Sequence, residues 1–136
     1  MNAKIQGMFE EVQALVDRAY DEEITMQEAE KLATRLLSVQ MTIAKELATV
    51  KLDARMRKSG VKAVKAVAYL DEVKKHDKKP SDSYLEHVVN TNENVNKEQD
   101  AFDAADVNAE TLETLLSVFK EAHIHFRSIS RGAYNG

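Results

Sequence analysis

Basic side chains are concentrated in one part of this sequence. Between Lys45 and Lys79 there are 11 lysine and arginine residues against 5 aspartate and glutamate residues, a net charge of +6, although the whole chain has a net charge of -4. Five of these cations follow one another at steps of three and four residues: Lys51, Arg55, Lys58, Lys62 and Lys65. On a helix this spacing places them on one face. Such a row can bind the phosphates of a polyanion, and the alternative is an ordinary solvated helix face.

Long helices are expected to position these residues, because the chain has only four glycines and one proline to interrupt them. Apolar residues at helical spacing predict an N-terminal helix over about residues 2–20. Thr25 and Glu28 fit a capping box that begins a long helix over about residues 26–75. A polar turn is predicted at about 76–83 around Pro80, followed by C-terminal helices over about 82–131, with Ser81 as the first cap.

Two heptad-like seams predict how the helices pack. The first seam, on the long helix, has one polar member and consists of Ala29, Ala33, Leu36, Gln40, Ile43, Leu47, Val50 and Ala54. The second, on the last helix, consists of Val95, Glu98, Phe102, Ala105, Ala109, Leu112, Leu116, Phe119, His123, Phe126 and Ser130. We therefore predict an all-α fold, a long antiparallel helical hairpin or bundle with coiled-coil-like heptads, in a single helical domain spanning residues 1–136. The widened apolar surfaces of these helices leave room for the N-terminal helix or for another subunit. Ser59-Gly60 is either a hinge or part of an unbroken helix.

Residue patterns typical of catalysis are missing from the sequence. No histidine follows a glutamate by three residues, as a di-iron bundle requires, and no glycine-rich phosphate loop occurs. His123 and His125 would point about 200° apart on a helix, so they are a poor metal pair. No spacing of serine, histidine and aspartate indicates a nucleophile with a positioned base. We predict no catalytic residue, no metal ligand and no cofactor, and therefore not an enzyme.

Composition also suggests where the protein resides. The chain has no cysteine, which is typical of cytosolic proteins. Charged residues interrupt the first twelve positions, unlike a signal peptide. No apolar run reaches the length of a membrane span. These observations predict a cytoplasmic protein without a membrane partner.

A basic and aromatic segment, His123–Arg131, ends the last predicted helix. Together with the early basic helix, the polar turn and the chain length, it resembles the small phage recombination mediators of the UvsY type. The resemblance covers roughly residues 29–131. It implies a ring-like homo-oligomer that binds single-stranded DNA, loosens the single-strand binding protein and loads a recombinase or annealing protein.

The family's DNA-contacting segment contains a Leu-Lys-Ala-Arg run, which two registers of this sequence match in part. Leu52-Asp53-Ala54-Arg55 keeps the arginine, and Val64-Lys65-Ala66-Val67 keeps the lysine. The resemblance thus implies DNA contact by Arg55 and Lys65. The basic run adds four further candidates: Lys51, Arg57, Lys58 and Lys62. The competing hypothesis is a helical protein-binding adaptor or inhibitor of phage or mobile-element origin, whose cations meet an acidic protein surface.

Overall fold

The structure is a computed structural model that describes residues 3–132 of the chain, and it is helical. Its four helices are α1 (Ala3–Asp21), α2 (Met26–Lys74), α3 (Asp82–Asn90) and α4 (Glu93–Ser130). The described residues form no strand, and α2 packs against α4, so the predicted all-α fold is confirmed. The observed bounds of α2, α3 and α4 lie within one or two residues of the long helix and the C-terminal helices predicted from the sequence. The predicted start of the N-terminal helix, at about residue 2, lies outside the described residues.

Local capping explains where the helices begin and end. The backbone N–H of Glu28 donates to Thr25 Oγ1 (3.1 Å), which confirms Thr25 as the cap of α2. In the same way, Tyr84 N–H donates to Ser81 Oγ (3.3 Å) at the start of α3. The helix α4 ends at Ser130. Two residues later, Gly132 has a φ of 72°, in the left-handed region that glycine adopts without steric cost, and its N–H donates to the Ile129 carbonyl (3.0 Å).

The chain divides into two compact units, and both long helices contribute to each of them. The first unit holds the chain up to Ala48 and from Glu110 onwards, and the second is Thr49–Ala109. The prediction of a single domain stays a prediction.

The first unit is built from α1, the first part of α2 and the last part of α4. Its most deeply buried large side chains come from all three helices: Val12, Leu36, Val39, Ile43, Leu112, Phe119 and Phe126. Phe9 contacts Phe119 with ring centroids 5.6 Å apart. Gln40, the polar member of the first seam, is buried and donates from Nε2 to the Phe119 carbonyl (3.3 Å). This bond satisfies an amide that would otherwise be costly to bury.

The second unit is built from the rest of α2, the short helix α3 and the first part of α4. One core cluster joins Ala68 of α2, Val89 of α3 and Val95 of α4, with Val64 and Tyr69 packed against it. Gly60 lies within α2, which runs through this position without a break. The unbroken helix resolves the two sequence interpretations of Ser59-Gly60 in favour of continuity.

Candidate nucleic-acid interface

Continuity of α2 places the five regularly spaced cations on one side of a single helix. We call Lys51, Arg55, Lys58, Lys62 and Lys65 the basic ridge. Lys51, Arg55, Lys58 and Lys62 are exposed, and Lys65 is half-buried. Their steps of three and four residues keep them within about 80° of one another around the helix axis, at 3.6 residues per turn. All five belong to the second unit.

Most of the basic ridge has no acidic partner in the structure. Within residues 3–132, no carboxylate lies within 4.0 Å of the charged groups of Arg55, Lys58, Lys62 or Lys65. Lysine and arginine side chains that are not paired at the surface can exchange their counterions for phosphates at little cost. A phosphate that binds these four side chains therefore does not have to displace a carboxylate.

Arg57 is the one predicted DNA-binding residue that the helix places elsewhere. It lies about 120° around the axis from the middle of the basic ridge, at about 100° per residue. Its Nε donates to Asp53 Oδ2 at 2.9 Å, an ion pair one helical turn apart. Arg57 is thus separated from the ridge and partly neutralised by Asp53.

The basic ridge continues beyond Lys65 to an aromatic side chain and a further lysine. Tyr69 follows Lys65 by four residues and is half-buried against the core cluster of the second unit. The Nζ of Lys79, beyond the end of α2, lies 6.0 Å from the centre of the Tyr69 ring. Interaction with the Tyr69 side chain, and then with the Asp82 carboxylate 3.7 Å away, raises the pKa of Lys79. Helical spacing could not identify Lys79, because it lies in the turn.

A network centred on Glu72 fixes this turn. Glu72 is only 8% exposed, and its Oε1 accepts hydrogen bonds from Tyr84 Oη (2.8 Å) and His76 Nε2 (3.1 Å). Lys75 Nζ is 3.5 Å from Oε2. The bonds from His76 and Tyr84 lower the pKa of Glu72 against the opposing effect of burial. The hydroxyl of Tyr84 is therefore engaged in holding the turn.

An apolar surface lies beside the basic ridge, on the side of α2 opposite its buried positions Ala54, Val61 and Ala68. We call it the apolar strip. Its four large side chains are more than half exposed: Leu52 (56%), Met56 (65%), Val67 (57%) and Leu70 (53%). The small exposed residues Ser59, Ala63 and Ala66 lie between them. Helical spacing in the sequence shows this strip once the buried face is known.

Charge is strongly segregated along the second unit. Residues 49–79 have 10 basic and 4 acidic side chains, a net charge of +6, and residues 80–109 have 1 basic and 7 acidic side chains, a net charge of -6. A polyanion approaching this unit would be attracted to α2 and repelled by the first part of α4. A polyanion would therefore meet a favourable potential only on the α2 side of this unit.

The basic and aromatic segment at the end of α4 is organised differently. The His125 ring stacks on Tyr20 of α1 at 5.0 Å, and Arg127 Nε lies 3.4 Å from His123 Nε2. Burial lowers the pKa of His123, and the charges of Arg127 and Arg131 lower it further. In the described part of the chain, no group of three or more histidine, aspartate or glutamate residues is placed to hold a metal ion.

The first unit also has a surface cavity of about 270 Å³ between α1 and the start of α2. Three cations and two carboxylates surround its apolar floor; the lining residues are Leu15, Arg18, Ala19, Glu22, Ile24, Glu28, Lys31, Leu32 and Arg35. The net charge of this lining is only +1, and Arg35 is already paired with Glu11 at 2.7 Å, so the cavity has no marked preference for an anion.

No protein-family model, curated protein or solved structure matches this chain. None of the helices described over residues 3–132 combines the length and the apolar character needed to cross a membrane.

Proposed function

We propose that this chain is a non-enzymatic protein that binds single-stranded DNA through the basic ridge and helps to load a recombinase or annealing protein. The observation that supports DNA binding best is the row of cations on one continuous helix, most of them without an acidic partner. The loading role rests on the resemblance to phage mediators of the UvsY type.

The ridge is suited to a flexible strand because its cations are spaced along the helix. Lys51 and Lys65 are 14 residues apart, which corresponds to about 21 Å at 1.5 Å per residue. A single strand can bend to bring several phosphates to such a row, and Tyr69 at its end offers part of a ring to an unpaired base. Several weak contacts of this kind gain strength when more than one subunit engages the same strand.

Fluorescence anisotropy of a labelled single-stranded oligonucleotide, measured over a range of salt concentrations, tests the binding. Five phosphate contacts predict a slope of about -3.5 in a plot of log affinity against log salt, at roughly -0.7 per contact. No binding at low salt would contradict the proposal.

Charge reversal tests the site. Changing Arg55, Lys58, Lys62 and Lys65 to Glu should reduce affinity at least 100-fold at about 0.1 M salt, since about four contacts are lost and replaced by repulsion. The matched control changes Lys4, Lys31, Lys97 and Lys120 to Glu. It alters the net charge equally at four exposed positions outside the ridge, and we expect it to retain most of the affinity. Equal losses in both variants would show that the effect is one of net charge and not of the ridge.

The loading role is tested with an oligonucleotide covered by a fluorescent single-strand binding protein. We expect the unmodified protein to accelerate the replacement of the single-strand binding protein by a recombinase. The ridge variant should not accelerate this replacement. Binding of DNA without any such acceleration would retain the DNA site and exclude the mediator role.

The apolar strip favours a second candidate, the protein-binding adaptor or inhibitor. In that function the strip and the ridge would meet an amphipathic acidic surface on another protein. A stable complex with a protein partner, lost on Met56→Glu and accompanied by no DNA binding at low salt, would favour this alternative.

A further inference from the structure

We propose that the apolar strip of α2 pairs with the same strip of a second copy of this chain, in an antiparallel arrangement with two-fold symmetry. The strip spans Leu52 to Leu70, about 27 Å of helix at 1.5 Å per residue. Its large apolar side chains form two pairs, one at each end of a single solvent-facing surface: Leu52 and Met56, and Val67 and Leu70. Contiguous exposed apolar surface of this kind marks an interaction site. The two pairs mark a surface that another helix covers.

Six of the seven strip residues pair with one another when the strip is reversed. The seventh, Val67, adjoins Ala66 and so lies beside Met56 of the other copy. With a two-fold axis level with Val61, Leu52 of one copy lies opposite Leu70 of the other, and Met56 lies opposite Ala66. Nearest the axis, Ser59 lies opposite Ala63. The strip alternates between two core positions of a heptad. In each layer, a residue at one of these positions faces a residue at the other position on the second copy, which is the pairing found in antiparallel coiled coils. A two-fold interface requires this self-complementarity, because each copy contributes the same surface.

Residue size also fits a second copy. The large side chains Leu52 and Leu70 are at the two ends of the strip, and the small residues Ser59 and Ala63 are at its centre. Small residues at the centre allow two helices to approach closely where they cross. A parallel pair would instead place Leu52 against Leu52 and Ser59 against Ser59, which gives layers of unequal thickness.

The pairing has a consequence for the basic ridge that rests on the proposed DNA binding. In an antiparallel pair related by a two-fold axis, the same flank of each helix lies on the same side of the dimer. The basic ridges of the two copies therefore lie next to each other. Lys62 lies near the two-fold axis and approaches its own counterpart. The two rows form one broader basic surface, whose internal repulsion a bound strand neutralises.

Because like charges of the two copies meet at the two-fold axis, the affinity of self-association should respond to salt in the opposite direction to the affinity for DNA. Screening of the two ridges should tighten self-association about threefold or more between 50 and 300 mM salt. Binding to DNA should weaken over the same range. The two trends separate failure of the pairing from failure of the proposed function.

Cross-linking tests the register, because the chain has no cysteine of its own. We expect the double variant with Leu52→Cys and Leu70→Cys to form a covalent dimer under mild oxidation. Each single variant should remain largely uncross-linked, because the identical cysteines are at opposite ends of the pair. Ile124→Cys, at a position that is 65% exposed and outside the strip, is the control. Equal cross-linking of a single variant would overturn the antiparallel register, and no more cross-linking in the double variant than in the control would overturn the pairing.

Sedimentation equilibrium tests the association of the unmodified chain. We expect a dimer of the 15.3 kDa protein at about 100 µM, and a monomer of unchanged helicity when Met56 and Val67 are both changed to Glu. A monomeric unmodified chain at this concentration would contradict the proposal. Binding of that monomer to phosphatidylserine vesicles, lost in the same double variant, would assign the strip to a lipid surface instead.

Discussion

The hydroxyl of Tyr84 on α3 donates a 2.8 Å hydrogen bond to Oε1 of Glu72 on α2, across twelve residues of chain. Tyr84 also contacts His76 edge-on, with ring centroids 5.7 Å apart. This contact joins the two sides of the turn that follows the basic ridge. It therefore determines where Lys79 and Tyr69 lie at the end of that ridge.

Removing only the Tyr84 hydroxyl should destabilise the turn. We expect Tyr84→Phe to lower Tm by roughly 2–4 °C, because the Glu72 carboxylate loses one donor while the ring contact with His76 remains. Thermal unfolding followed by circular dichroism measures the change. Tyr20→Phe is the matched control, since its ring contact with His125 does not depend on the hydroxyl. An equal Tm for the Tyr84→Phe variant and the unmodified chain would mean that water replaces the hydroxyl without loss.

Glu72 should make stability depend on pH at acidic values. Its pKa is lowered from the ordinary value of 4.5 in the folded state by the bonds from His76 and Tyr84, so the unfolded state binds the proton more readily. The stabilisation is fully present above pH 4.5, and it is lost as the pH falls from 4.5 through the folded-state pKa of Glu72. Urea unfolding at pH 6 and at successive values below 4.5 should show a smaller decrease in Glu72→Gln than in the unmodified chain. Parallel curves for the two proteins would contradict this role of Glu72.

His123 should contribute a pH dependence nearer neutrality. Burial and the neighbouring arginines lower its pKa from the ordinary value of 6.5, so the folded state resists protonation. Stability from this group is present above 6.5 and decreases as pH falls through the folded-state pKa. NMR titration of the His123 ring should give a value below 6.5, and Arg127→Gln should raise it by removing one positive charge. An unchanged ring pKa in that variant would show that Arg127 does not contribute to the shift.

Helix packing could be predicted from the sequence because it depends on local periodicity. All eight residues of the first seam, Gln40 included, are buried. The caps at Thr25 and Ser81 also depend on residues only three positions apart. A pattern that repeats within one turn of helix is visible before any tertiary contact is known.

The site could be predicted only as far as it lies on one helix. Helical spacing gives the ridge from Lys51 to Lys65, and it also places Arg57, a member of the same basic run, about 120° away from that ridge. The ion pair that Arg57 forms with Asp53 is seen only in the structure. The position of Lys79 over Tyr69 depends on a turn that Glu72 and Tyr84 hold together. Contacts of this kind join residues on different elements and leave no periodic signal.

Lys79 should contribute to DNA binding although it lies outside α2. If the proposed ridge extends to Tyr69 and Lys79, Lys79→Gln should reduce the magnitude of the salt slope by about 0.7, the share of one phosphate contact. Lys74→Gln, which removes an exposed cation on another side of α2, should leave the slope unchanged. Anisotropy titrations of the two variants beside the unmodified chain make the comparison. Equal slopes for all three proteins would limit the site to the basic ridge itself.

Gly60 offers a test of the continuous helix. Glycine within a helix is less favourable than alanine by about 0.5–1 kcal/mol, because the unfolded chain loses more conformational freedom. A Cβ atom at this position would lie 3.6 Å from Oε2 of Glu98 on α4, an ordinary contact with the end of a flexible side chain. We therefore expect Gly60→Ala to raise the free energy of unfolding by about 0.5–1 kcal/mol in urea titrations. Gly7→Ala in α1, where a Cβ meets no atom within 4 Å, should stabilise by a similar amount and serves as the reference. Stabilisation by Gly7→Ala combined with destabilisation by Gly60→Ala would show that α2 bends at residue 60 in solution, since only a helix that is regular at this position gains from alanine.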